Sequence, residues 1–237
     1  MKPIMDKDEA ANVFKTLAQK EPYFTVSSEK RFRMKNLDSE RVDEFVNSGI
    51  EHADIICNLS GQSRFSSVLE YGCGLGRILN HMAKRADKAF GIDISPVMAQ
   101  KVTQGNITGI EAPNWWKQAP DVELAYSYIV FQHIPEEEGL RILANLLKHC
   151  KIAVMHIVVE DERSPLMRLV WWLTFRKPFS WAFNAIKSRE LNEPRIPMFM
   201  WNKEKIVEVF KANGFPDVKL TPNRFDGFLA YFFVGKK

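Results

Sequence analysis

The residues Glu70-Tyr71-Gly72-Cys73-Gly74-Leu75-Gly76-Arg77 place three glycines at alternate positions behind a carboxylate. Glycine reaches backbone conformations closed to other residues and lets a ligand approach the main chain closely. Where a helix begins just after such a turn, its free N–H groups and positive dipole end suit a carboxylate or a phosphate. Asp93 closes the next apolar stretch, a position from which a carboxylate can accept hydrogen bonds from ribose hydroxyls. His133 follows a later apolar stretch. An imidazole with a pKa of about 6.5 suits a general base, though it can equally hold a neighbouring backbone group.

The spacing narrows the ligand. A dinucleotide fingerprint is G-x-G-x-x-G, but Arg77 takes the sixth place here, so a dehydrogenase is disfavoured. Glu70 before the turn would repel a pyrophosphate and attract an ammonium group. S-adenosylmethionine carries an ammonium and a carboxylate and no phosphate. The turn with Asp93 points to a nucleoside; Glu70 and the spacing point to the sulfonium cofactor.

These residues need elements to hold them. Ser67–Tyr71 and Ala89–Asp93 are predicted strands, with the glycine turn and a helix over Arg77–Arg85 between them. Ser95-Pro96 opens another helix. Ile107–Ile110 and Val122–Val130 are predicted as strands three and four, and Glu136–His149 as an amphipathic helix. Ile152–Val159 is a continuous apolar, β-branched run, as in a strand buried on both faces. Strands alternating with helices imply a parallel sheet. Before them, helices are predicted over Asp6–Gln19 and Ser39–Leu59, the second capped by Asp38 or Ser39 and closed by Gly61. After them come a helix over Asn202–Asn213 and strands at Asp217–Leu220 and Phe228–Val234, with Asn223–Gly227 as the turn.

Composition permits this architecture and excludes others. The chain of 237 residues is 46% hydrophobic, enough for a substantial core. A formal net charge of +4 is too mild to demand a nucleic-acid partner. Cys57, Cys73 and Cys150 stand far apart and form no metal spacing, which fits a reducing, cytoplasmic setting without a metal. No apolar run approaches the roughly 18–20 residues of a membrane span, and Met1–Glu9 lacks the apolar stretch of a secretory signal.

Several segments resemble the class I S-adenosylmethionine-dependent methyltransferase family. Val68 to Arg77 is similar to its first motif, Gly91-Ile92-Asp93-Ile94-Ser95-Pro96-Val97-Met98 to its second, and Ala125 to Pro135 to its fourth strand and following loop. Trp201-Asn202-Lys203-Glu204 with Gly214-Phe215 resembles a common late helix and strand start. The resemblance implies a Rossmann-like, doubly wound α/β fold. Its seven-stranded sheet is mostly parallel, with an antiparallel last strand, N-terminal helices and a helical insert after strand five. It implies that Glu70, Gly72 and Gly74 line the methionine part of S-adenosylmethionine, with Cys73, Gly76 and Arg77 completing the turn. Asp93, with Ile94 beside it, would hold the ribose, Glu111 and Ala112 would lie at the adenine, and Tyr128 and Gln132 near the methyl group.

One methyltransferase domain is expected. Cap helices occupy 1–62, the cofactor-binding core 63–159, an aromatic and basic insert or lid 160–200, and a helix with a strand pair 201–237. Between Arg163 and Arg189 six basic residues are interleaved with aromatics and no acid. Three readings stand: an extra hairpin packed on the sheet, a lid over the acceptor, or a peripheral membrane contact suited to a lipid-linked substrate. Arg33 could pair with an acidic acceptor or the cofactor carboxylate, or simply be solvated. His156 fits a satisfied core histidine, and His52, His81 and His149 look structural. The expected chemistry is O-methylation of a small-molecule acceptor. The alternatives are a lipid-linked or macromolecular acceptor, or a non-catalytic binding module. Nucleic acid is disfavoured because Phe131 to Pro135 departs from the Asn/Asp-Pro-Pro-aromatic loop of enzymes that methylate base amino groups.

Overall fold

A computed structural model of the chain describes residues 5–112, 114–187 and 189–237. The first four residues of the charged N-terminal stretch, and Ser188 of the insert, lie outside it.

Seven strands form one sheet: β1 (Phe65–Tyr71), β2 (Ala86–Asp93), β3 (Ile107–Glu111), β4 (Val122–Ser127), β5 (Cys150–Asp161), β6 (Val218–Phe225) and β7 (Phe228–Lys236), in the order β3-β2-β1-β4-β5-β7-β6. β7 runs antiparallel between β5 and β6; the other pairings are parallel. The expected sheet, with its antiparallel last strand inserted, is therefore borne out. β5 extends past the predicted run at both ends, and β6 edges the sheet. Asn223 is not in a turn but in β6; the turn shrinks to Asp226-Gly227, both at positive φ. Asp-Gly suits the mirror-image turn that matches strand twist.

Both faces are covered. On one, Leu69, Tyr71, Ala153 and Phe233 pack with α6 (Glu136–Lys148) and α9 (Lys203–Ala212). On the other, Val68, Tyr126, Val154 and Phe232 pack with α3 (Ser39–Ser60) and α4 (Leu79–Ala83). α3 is capped by Asp38, whose carboxylate accepts the Arg41 N–H, and it ends at left-handed Gly61. α4 is shorter than the expected Arg77–Arg85. α5 (Pro96–Val102) starts as predicted, but the Ser95 side chain makes no cap hydrogen bond.

The N-terminal segment forms α1 (Lys7–Lys20) and α2 (Pro22–Val26). Asp6 and Glu9 close a reciprocal capping box on α1. The insert forms α7 (Pro165–Leu173) and α8 (Phe179–Ile186). Among the described residues, no helix is long and apolar enough to cross a membrane.

Candidate active site at the carboxyl ends of the strands

The glycine turn leaves β1 where the chain order of the parallel strands reverses, the usual crevice of an open α/β sheet. The Gly72 and Cys73 N–H groups both donate to the Ile92 carbonyl, which ties the turn to β2. Gly72 and Gly74 have φ of +79° and +53°. A side chain at either would be strained, and its Cβ would overlap Val130 at the first and Val26 of α2 at the second. The turn is thus bare backbone by necessity. Gly76 lies against Val102 of α5.

Asp93 is built into this turn. Its carboxylate accepts the Gly74 N–H at 2.9 Å on one oxygen and the Ser95 N–H at 2.8 Å on the other. Burial raises its pKa, against hydrogen bonds from Ser95, Gly74 and Ile94 that favour the charged form. The carboxylate keeps acceptor capacity for a further donor. Glu111 ends β3 opposite Asp93, and the Ala112 N–H donates to the Asp93 carbonyl. Asp93, Ile94, Glu111 and Ala112 therefore share one end of the sheet.

Glu70 sits differently from the expectation that it lines the ligand. Strand alternation turns it with Val68 toward α3 and α4, where it is 4% exposed and accepts the Tyr126 hydroxyl at 3.1 Å. Burial pushes its pKa up to about 8, in spite of the Tyr126 bond and the nearby Arg77. Arg77 also faces α3, donating to the Ser48 carbonyl at 3.2 Å and lying against His52. Cys73, like Cys57 and Cys150, is a buried thiol.

β4 ends before Tyr128, earlier than predicted. Ile129 then takes a φ of +56°, an outlier for a β-branched residue of the kind that gathers at functional sites. Tyr128 falls two positions beyond Tyr126, beside His156 of β5. Its ring lies 4.4 Å from that of His52 and 4.9 Å from that of His156, and it stacks on Phe232. His156 accepts from the Asn223 amide at its Nε2, while its buried Nδ1 has no partner among the described residues. Burial, with His52 nearby, lowers its pKa to about 3. His52 is thus a neighbour of the site, where its place on a helix suggested a purely structural role; only the folded register reveals it.

Gln132 and His133 lie on the far side of β4. Gln132 is buried, and its carbonyl accepts the Phe199 N–H. His133 Nδ1 is 2.7 Å from the Pro197 carbonyl oxygen. A carbonyl only accepts, so Nδ1 carries the proton and the Nε2 lone pair faces the Gln132 amide nitrogen at 3.4 Å. Burial lowers the His133 pKa to about 4, against that bond. Phe14 of α1 covers the imidazole, ring centres 5.0 Å apart.

Val26 over Gly74 and Phe14 over His133 make α1 and α2 a roof on the crevice. Arg33, expected to meet a ligand or solvent, does neither. Its guanidinium makes two hydrogen bonds to Glu193, at 2.8 and 2.6 Å, and covers the Phe24 ring. Burial would lower its pKa, but the Glu193 bonds and charge raise it overall.

A family model described as a methyltransferase domain matches residues 42–220. The chain belongs to this methyltransferase family. It is a class I, S-adenosylmethionine-dependent methyltransferase, as the glycine turn and Asp93 implied. No curated protein sequence matches the chain. Among solved structures, the methyltransferase is similar to the magnesium protoporphyrin IX methyltransferase ChlM of Synechocystis PCC 6803 with bound SAH. The identity is 14% and the TM-score 0.63, over 98% of this chain and 100% of that one. It is also similar to the cyclopropane synthase MmaA2 of Mycobacterium tuberculosis, at 13% identity and TM-score 0.55, over 97% and 94% of the two chains. At such identity the likeness is one of fold.

The methyltransferase's own residues fit the cofactor. Gly72 and Gly74 present bare main chain, with Val130 and Val26 packed against the turn, and the Asp93 carboxylate stands beside it at the end of β2. Among the described residues there is no group of three or more metal-ligating side chains.

Proposed function

We propose that the methyltransferase acts on a hydroxyl of a small-molecule acceptor, with His133 as the base. The observation that carries this reading is the tautomer of His133: Pro197 holds the proton on Nδ1 and leaves the Nε2 lone pair, 3.4 Å from the Gln132 amide nitrogen, at the carboxyl end of β4. A neutral imidazole can take a hydroxyl proton as the oxygen is methylated. S-adenosylmethionine supplies an electrophilic methyl group on sulfur, which an aligned nucleophile displaces.

In this reading Gly72, Cys73, Gly74 and Gly76 give main-chain groups to the methionine end. Asp93 and Ile94 hold the ribose, and Glu111 and Ala112 flank the adenine. Glu70 and Arg77 act from beneath, fixing the turn against α3 and Tyr126. Tyr128 and Gln132 flank the reacting region from opposite sides of β4. A roof made by Val26 and Phe14 excludes water and sets the acceptor's size, which favours a small molecule over a folded macromolecule. Three buried thiols fit a reducing compartment.

The test is methyl transfer from S-adenosylmethionine to a panel of phenols, carboxylic acids and amines, with titration of S-adenosylhomocysteine alongside. Transfer to hydroxyl acceptors that is lost in His133→Ala supports the reading. Transfer to amines alone, or full rates in that variant, overturns it.

A further inference from the structure

The insert is unlike the rest of the surface. Eight of the twelve large hydrophobic residues exposed among the described residues fall between Leu166 and Leu191. Ile186 is 79% exposed and Leu166 69%. α7 has no buried residue at all. Seven of the eight lie on the short helices α7 and α8, and soluble surfaces rarely gather so much apolar area without a partner.

The charges around it share one sign. Between Arg163 and Arg189 there are six cations and no acid. Among the described residues, Arg168, Arg176, Lys177 and Lys187 form no salt bridge. Arg176 lies over Trp172 at 4.1 Å and Lys177 over Trp181 at 5.0 Å, so basic groups sit beside indole rings. At the foot of the hairpin is a groove of about 510 Å³, lined by Phe175, Lys177, Trp181, Glu193 and Arg195 among others. Its one carboxylate is held by Arg33, and the buried Arg195 Nε has no partner among the described residues.

We propose that the α7–α8 hairpin docks on an anionic phospholipid surface, its apolar residues entering the headgroup boundary and its cations meeting lipid phosphates. Aromatic and aliphatic residues bordered by lysine and arginine fit that interface. A second copy of this chain fits badly, because self-contact would set Arg168, Arg176, Lys177 and Lys187, none of them in a salt bridge among the described residues, against the same four cations. The hairpin is not a loose tail. The Asn184 side chain donates to the Leu191 and Glu193 carbonyls, and Arg33 clamps Glu193 to the roof. A docked hairpin therefore holds the crevice beside the membrane.

The experiment is co-sedimentation of the full chain with vesicles of phosphatidylcholine alone, or of phosphatidylcholine with phosphatidylglycerol, at low and high salt. Binding is expected to the anionic vesicles and to weaken with salt. Leu169→Glu with Ile186→Glu is expected to cut partitioning by roughly tenfold or more. Both residues are exposed, so thermal unfolding and S-adenosylhomocysteine titration should match the parent and show an intact fold. No binding to anionic vesicles at low salt overturns the proposal, as does equal binding by the double variant. A dimer in sedimentation equilibrium that the same changes dissolve also overturns it, and assigns the patch to a second copy.

Discussion

Asp93 holds Gly74: the side chain that ends β2 accepts the backbone N–H at the centre of the glycine turn, 19 residues earlier, at 2.9 Å. One carboxylate thereby shapes the turn and presents the lone pairs read as ribose acceptors. Asp93→Ala should weaken S-adenosylhomocysteine binding by at least about tenfold. It should also destabilise the fold by roughly 1–3 kcal/mol, because two N–H groups lose their partner. Calorimetric titration beside denaturant unfolding separates the two effects. Unchanged affinity would remove Asp93 from the cofactor site.

The roof is testable at Gly74. Gly74→Ala adds a methyl group where Val26 already sits and places alanine at a φ of +53°. Stability should fall by roughly 1–3 kcal/mol. Adding Val26→Ala should restore part of it, since the pair touch; the backbone strain should persist. Strict additivity in the double-mutant cycle would show that α2 does not rest on the turn in solution.

His133→Ala should lower kcat by about 100-fold, within the range for general base catalysis, and leave S-adenosylhomocysteine affinity unchanged. With its pKa near 4, His133 stays neutral through the physiological range. The parent's rate profile should therefore show no His133 inflection between about pH 5 and 8. An inflection near 6.5 that the substitution abolishes would mean a solvated imidazole instead.

Buried ionisable groups should make stability depend on pH in two opposing ways. Glu70 titrates at about 8 when folded and near 4.5 when unfolded. The folded chain keeps a proton the unfolded chain has lost, so this stabilisation is complete below 4.5 and erodes as pH rises to 8, by about 1.4 kcal/mol per unit. Glu70→Gln should flatten that decline between pH 4.5 and 8. His133 and His156, lowered to about 4 and about 3, act oppositely. The unfolded chain takes up their protons first, so stability is lost as pH falls from 6.5 toward those values. Thermal unfolding at pH 5, 6.5 and 8 for the parent, Glu70→Gln and His156→Gln reads both slopes.

What the sequence made legible was local. The glycine turn, the end of β2 and the Asp38 cap of α3 are dictated by neighbouring residues. The direction of Glu70 was hidden because β1 is buried on both faces, so hydrophobic alternation could not show which side it enters. Asn223 was misplaced because turn-forming residue types also occur at a sheet edge; Pro222 is tolerated there since β6 has a free side. His52 beside Tyr128, Val26 over Gly74 and Arg33 with Glu193 are meetings of distant segments, which no window along the chain contains.

The roof has a further consequence for assembly. Arg33 precedes Glu193 by 160 positions, and Phe14 and Val26 rest on loops that follow β1 and β4. A nascent chain produces α1 and α2 before any of these surfaces exist. Non-local contacts repay their ordering cost only after the intervening chain is in place. The helices that precede the sheet in the chain are therefore the last to settle, and they close the crevice only on a finished sheet.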